Sequence, residues 1–263
     1  MPKLEIITRH PKGPAHPTQL LFIHGAFASA GIWDINFLPY FAEQGYVAHA
    51  VSLRGHGGSE GKHLLPWHSL RDYIADIAET VKDFPSPPVL IGHSMGGMII
   101  QRFLHAGGKT KGAVLMASVP PHGMWESTIG MAFRDPMLMH QLGMLMTFGP
   151  GVISSASIRR AMVSSRVPQA LVDRYEHLFQ SESQRVVIDM LSFNPFSWVP
   201  EPSLPILVLG AANDAFFTAD QVEHTARAFG TRAVIFPEMA HGMMLEPEWP
   251  SVAETINRWL ATI

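Results

Sequence analysis

The chain has 263 residues, 47% of them hydrophobic and 16% charged, with a formal net charge of −3. That length suits one α/β domain with an insertion, and the weakly acidic balance offers no basic footprint for nucleic acid. There is no cysteine, which excludes disulfides, thiolate metal sites and cysteine nucleophiles. No apolar run reaches the length of a membrane span, and Met1-Pro2-Lys3-Leu4-Glu5 lacks the basic flank and apolar core of a secretion signal. A cytoplasmic protein is the resulting expectation.

In chain order, Leu4 to Thr8 is expected as an edge strand before the Pro-rich loop His10 to Pro17, and Gln19 to Ile23 as a buried strand ending at His24-Gly25. Ile32, Trp33, Phe37, Leu38 and Phe41 then recur at helical spacing. Tyr46 to Leu53 is strand again, and glycines make a loop of Arg54-Gly55-His56-Gly57-Gly58-Ser59. Ser69 and Asp72 form a capping box that opens a helix with Tyr73, Ile74 and Ile77 on its inner side. The apolar run from Val89 breaks at a serine set among glycines, Gly92-His93-Ser94-Met95-Gly96-Gly97, and resumes at helical spacing. Gly112 to Val119 supplies the next strand. Strands alternating with helices at this spacing predict an α/β fold, a mostly parallel central sheet with helices on both faces.

Between Pro120-Pro121 and Pro202 the pattern changes to amphipathic helical segments around Ile129 to Met146, Ile158 to Met162, Leu171 to Phe179 and Val186 to Leu191. The expected organisation is a core domain of residues 1–120 and 202–263 with a helical lid inserted over 121–201. Eight of the fifteen methionines fall in the insertion, where flexible thioethers either line a surface that repacks around apolar ligands or fill the underside of a small cap. Met131 to Phe148 carries more apolar side chains than docking one helix face requires, so some are expected to line a pocket. The parallel pattern returns with Ile206 to Leu209, a helix opening at Thr218 with Gln221 as its box partner, the strand Ala233 to Phe236, and a last helix through Val252 to Leu260.

A Gly-x-Ser-x-Gly turn between a buried strand and an apolar-faced helix forces the serine backbone into an unfavourable conformation, and side chains at Gly92 or Gly96 would collide with it. Ser94 would then stand clear of the sheet as a nucleophile; the plain alternative is a Gly-Ser loop. A serine hydroxyl needs a base in reach, and the base an orienting carboxylate. Asp214 and His241 both follow strands, on the rim where open parallel sheets bind ligands. Asp220 competes with Asp214 but lies inside the helix that starts at Thr218. The fourteen histidines contain no His-x-His or His-Glu-x-x-His spacing, so no metal site is expected. His93 is expected to point away from Ser94, because successive strand residues face opposite sides. Arg159-Arg160 would either hold an acidic group or, as arginines usually do, sit solvated at the surface.

Taken together, His24-Gly25-Ala26-Phe27, Gly55-His56-Gly57-Gly58-Ser59, Gly92-His93-Ser94-Met95-Gly96-Gly97, Asn213-Asp214 and Ala240-His241-Gly242 run through nearly the whole chain in the order Ser, Asp, His. In this the chain resembles the α/β-hydrolases, and among them the lid-bearing serine esterase and lipase type. The resemblance implies a triad of Ser94, Asp214 and His241, an oxyanion hole from the backbone N–H groups of Ala26 and Met95, and a lid after Val119. Candidate substrate contacts are Phe27, Met131, Met139, Met146 and Met243. It implies no metal and no cofactor, and hydrolysis of a small-molecule carboxylic ester with a small to medium apolar acyl group. Two alternatives stay open: a carbon–carbon bond hydrolase acting on a diketone, and a binding or signalling protein on the same scaffold. One departure is visible, a single strand before Gln19 where the family often has two.

Overall fold

A computed structural model describes residues 1–149, 151, 154–191 and 204–263. Its strands are β1 (Glu5–Arg9), β2 (Leu20–Ile23), β3 (Ala48–Ser52), β4 (Val89–His93), β5 (Gly112–Met116), β6 (Ile206–Ala211) and β7 (Ala233–Phe236). They form one sheet in the order β1-β3-β2-β4-β5-β6-β7. Only β1 runs antiparallel, against β3; every other pairing is parallel. β2, β4, β5 and β6 are buried along their whole length, which is why they read as unbroken apolar runs rather than as alternating ones.

Alternation decides instead which core each side chain joins. Leu20, Phe22, Val89 and Ile91 pack with Trp33, Phe37, Phe41 and Ile256 on one face. Leu21, Ile23 and Leu90 pack with Tyr73, Ile77, Ile99 and Phe103 on the other. Both expected capping boxes form, at Ser69 with Asp72 and at Thr218 with Gln221. The single strand ahead of Gln19 is β1, an edge whose Glu5 carboxylate accepts from Ser52 Oγ at 2.6 Å.

Two elements divide where periodicity implied continuity. The helical stretch after Gly31 splits into Gly31–Asp34 and Phe37–Glu43, because Asn36 leaves helical geometry (φ −131°, ψ −50°) and donates its side-chain amide to Met244 O at 3.0 Å. Such a bond offers the chain an alternative to the helix. The segment around Ile129 to Met146 becomes Trp125–Arg134 and Pro136–Phe148. Asp135 caps the second helix by accepting from Leu138 N at 3.0 Å, and Pro136 opens it at a position where a missing N–H costs nothing.

Between β5 and β6 the described residues hold five α-helices, Trp125–Arg134, Pro136–Phe148, Ser155–Met162, Gln169–Tyr175 and Gln184–Leu191, and no strand. The boundary expected at Pro202 lies outside the described residues. Arg159 and Arg160 serve this helical region internally. Arg159 donates to the carbonyls of Ser164 and Val167, and Arg160 to Asp135. Among the described residues, no helix is long and apolar enough to cross a membrane.

Candidate active site

Ser94 sits where β4 turns into the helix Met95–His105, with φ 52° and ψ −115°, a strained backbone for a residue with a side chain. The turn closes because two neighbours lack a Cβ. One added at Gly92 would lie 2.5 Å from the Gly96 carbonyl carbon, and one at Gly96 2.3 Å from Ile23 O. Ser94 N donates to Met116 O at 3.0 Å, which ties the turn to β5.

Asp214 follows β6 and is buried. Its Oδ1 accepts from the backbone N–H groups of Phe216 at 2.7 Å and Phe217 at 3.1 Å. Oδ2 is left for His241 Nδ1 at 2.8 Å. A carboxylate only accepts, so Nδ1 carries the proton and Nε2 is the free lone pair of this imidazole. Asp220, by contrast, is an exposed residue of the helix Ala219–Ala228.

Ser94 and His241 line the same cavity, of about 230 Å³, together with Ala26, Phe27, Phe216 and Phe217. Its far wall comes from the helices after β5 and includes Met131, Met139 and Met146. The methionine-rich segment therefore divides: those three face inward, whereas Met137 and Met144 are exposed, as are Phe133 and Phe148. Among the described lining residues there is no Asp, Glu, Lys or Arg.

Two expectations are corrected here. Met243 does not line this cavity; at the start of the short 3-10 turn Met243–Leu245, it is fully buried in the core cluster that contains Phe37 and Ile256. His93 does not turn away from the site. Its ring lies 4.6 Å from that of His241, and its Nε2 donates to His241 O at 2.9 Å. The alternation rule fails because Ser94 has left strand geometry. Burial, reinforced by His241, holds His93 well below the ordinary histidine pKa, so it is a neutral donor.

A group that periodicity did not bring out is Glu182, just before the helix Gln184–Leu191. Its side chain is fully buried and lies 3.2 Å from His56 Nε2. Tyr73 Oη, Ser183 N and Phe27 N donate to the same carboxylate at 2.9, 2.6 and 3.2 Å. Burial opposes a charge on His56, but Glu182 outweighs it and raises the histidine pKa. Burial would likewise raise Glu182, and His56, with Ser183 N and Tyr73 Oη, lowers it instead. Burial and the neighbouring His56 push His24 down to about 3.

The raised His56 stabilises the fold fully below the ordinary histidine pKa, and that contribution is lost as pH rises through its higher folded value. The depressed Glu182 stabilises above the ordinary carboxylate range and loses its contribution as pH falls through its lower folded value. Urea midpoints measured across pH are therefore expected to decline on the alkaline side of the ordinary histidine value in the wild type. That alkaline decline should flatten in Glu182→Gln, and an equally steep fall in the variant would refute the pair as its source.

The chain belongs to the alpha/beta hydrolase family, whose model matches residues 20–249. It is similar to a non-heme chloroperoxidase of Burkholderia pyrrocinia, at 34% identity over 114 residues, 41% of this chain and 40% of that protein. It is also similar to a monoglyceride lipase of Rattus norvegicus, at 32% identity over 99 residues, 36% of this chain and 32% of that protein. The chain thus spans well under half the length of these curated relatives. Among solved structures, a thermophilic esterase from Thermogutta terrifontis superposes with a TM-score of 0.75 at 19% identity, covering 99% of this chain and 94% of that one.

Proposed function

We propose that the protein is a serine hydrolase that cleaves carboxylic esters of small to medium apolar acyl groups. The observation that carries this reading is the meeting of Ser94 and of His241, itself bonded to Asp214 at 2.8 Å, in one apolar cavity. Ser94 Oγ attacks the ester carbonyl carbon as His241 Nε2 takes its proton, and Asp214 holds the imidazole in the required tautomer. The carbonyl oxygen becomes negative and is met by the N–H groups of Ala26 and Met95. The tetrahedral adduct collapses, His241 protonates the leaving alkoxide, and water then releases the acid by the same route in reverse. No metal and no organic cofactor takes part in this scheme.

Residues 121–201 act as the lid in this proposal, over a core of residues 1–120 and 202–263. Phe27, Met131, Met139 and Met146 contact the acyl group, since all four line the cavity. The absence of charged side chains among its described lining residues favours an uncharged ester. A diketone bearing a carboxylate would bring a charge into apolar surroundings with no counter-ion.

Each acyl methylene buried there contributes about 0.8 kcal/mol, or roughly a fourfold gain in kcat/KM. Across acetyl, butanoyl, hexanoyl and octanoyl esters, kcat/KM is expected to climb until the cavity is full and then level off. A monotonic fall from acetyl onward would refute an apolar acyl pocket, and good cleavage of an acidic diketone beside it would favour carbon–carbon hydrolysis.

A further inference from the structure

The loop that follows β2 is held from outside itself. Phe27 has φ 63°, a conformation that costs a side-chain-bearing residue on the order of 1 kcal/mol or more and persists only when its surroundings impose it. Both of its backbone groups are engaged by one short stretch of the chain. Gln180 N donates to Phe27 O at 2.8 Å, and Phe27 N donates to Glu182 Oε2 at 3.2 Å. Gln180 adds a bond from Nε2 to Ala28 O at 3.0 Å, and its Oε1 accepts from Gly57 N, also at 3.0 Å.

Glu182 is in turn fixed from the other side. His56 Nδ1 lies 3.1 Å from Arg54 O and Nε2 3.2 Å from the carboxylate. Nδ1 has the Arg54 carbonyl as its acceptor and so carries a proton, whereas Nε2 faces the carboxylate at ion-pair distance without hydrogen-bond geometry, and Glu182 holds the His56 pKa above its ordinary value. The buried carboxylate is thus boxed in by His56, Tyr73 and Ser183, and its Oε2 is aimed at the Phe27 peptide. The Ala26–Phe27 peptide contributes that N–H, and the peptide immediately before it carries the Ala26 N–H. Rotating the first displaces the second.

We infer that Glu182 is a positioning residue for the oxyanion hole: it orients the Phe27 peptide from the helical region and thereby aims the Ala26 N–H at the developing oxyanion. This rests on the serine-hydrolase reading above and adds to it a residue that touches neither substrate nor triad. A donor misaimed by even 1 Å affects the transition state far more than the ground state, with costs up to about a hundredfold.

The test compares wild type, Glu182→Gln and Glu182→Ala on a butanoyl ester, with a trifluoromethyl ketone as the tetrahedral mimic. The hydrolase reading is judged on wild type against Ser94→Ala, before any Glu182 variant is scored. Glu182→Ala is expected to lose roughly 10- to 100-fold in kcat with KM little changed, and to bind the ketone more weakly by the same factor. Glu182→Gln keeps an acceptor for Phe27 N and should recover part of that loss. Amide exchange over residues 25–28, which needs no turnover and is informative even where Glu182→Ala folds poorly, should quicken in Glu182→Gln. Unchanged kcat and ketone affinity, or exchange over 25–28 identical to wild type in both variants, would overturn the inference; so would a loss confined to KM.

Discussion

Ser94→Ala is expected to lower kcat for ester hydrolysis by roughly a million-fold while leaving the fold intact, because members of a Ser-His-Asp triad act as a unit and the nucleophile has no substitute. Ser94 is only partly buried and lines the cavity, so removing its hydroxyl opens no new hole in the core. His241→Ala should fall to a similar floor. Asp214→Asn should lose less, about ten-thousand-fold, since the imidazole survives but its proton is held on the wrong nitrogen. A fluorophosphonate should label Ser94 in the wild type, as read by peptide mass, and nothing in Ser94→Ala. Wild-type-like turnover by either the Ser94 or the His241 variant would remove the proposed chemistry altogether.

The largest effect on stability is expected at the two glycines of the turn. A Cβ at Gly92 meets Gly96 C and O at 2.5 Å and Gly97 N at 2.6 Å; one at Gly96 meets Ile23 O at 2.3 Å and His24 O at 2.7 Å. These obstacles are backbone atoms of paired elements and cannot rotate aside. Gly92→Ala and Gly96→Ala should each destabilise by more than about 3 kcal/mol, placing them in the extreme tail of single substitutions. Gly143→Ala is the internal comparison. Gly143 lies within Pro136–Phe148 with nothing near its missing Cβ, so alanine there should stabilise by about 0.5 to 1 kcal/mol. Thermal unfolding of the three variants separates close approach from glycine's ordinary flexibility; similar melting temperatures would refute the steric account.

Features that were legible in the sequence are those written in local order. The central strands announce themselves as apolar runs because both of their faces are buried. The capping boxes at Ser69 and Thr218 need only residues three apart. The meeting of Asp214 with His241 is legible because parallel strands deliver their trailing residues to one rim, so chain position stands in for space. Non-local packing was not legible. The helix break at Asn36 depends on a carbonyl at Met244, and the place of Met243 in the core depends on a cluster whose members are as distant in the chain as Phe37. The role of His93 depends on a backbone carbonyl 148 positions away. Glu182 stands in an unremarkable Ser-Glu-Ser stretch, and its partners lie at Phe27, His56 and Tyr73. The break at Asp135-Pro136 is different: an acidic cap followed by proline is a local signal, and it was masked by the apolar density around it.

The helical region between β5 and β6 also divides the molecule in time. β5 pairs with β6 in register from Ala113 with Ile206, so that edge stays open until a stretch of roughly ninety residues has been made and looped back. During synthesis the serine turn, whose backbone hydrogen bonds and glycine contacts lie within residues 20–119, is made while Asp214 and His241 are still to come. An uncovered apolar strand edge is the natural place for a nascent chain to find the wrong partner. The closure that ends this exposure brings Asp214, just after β6, to the rim beside Ser94, and the pairing of β7 with β6 then brings His241. Under the proposed chemistry, the nascent chain is therefore inactive until that edge has been paired.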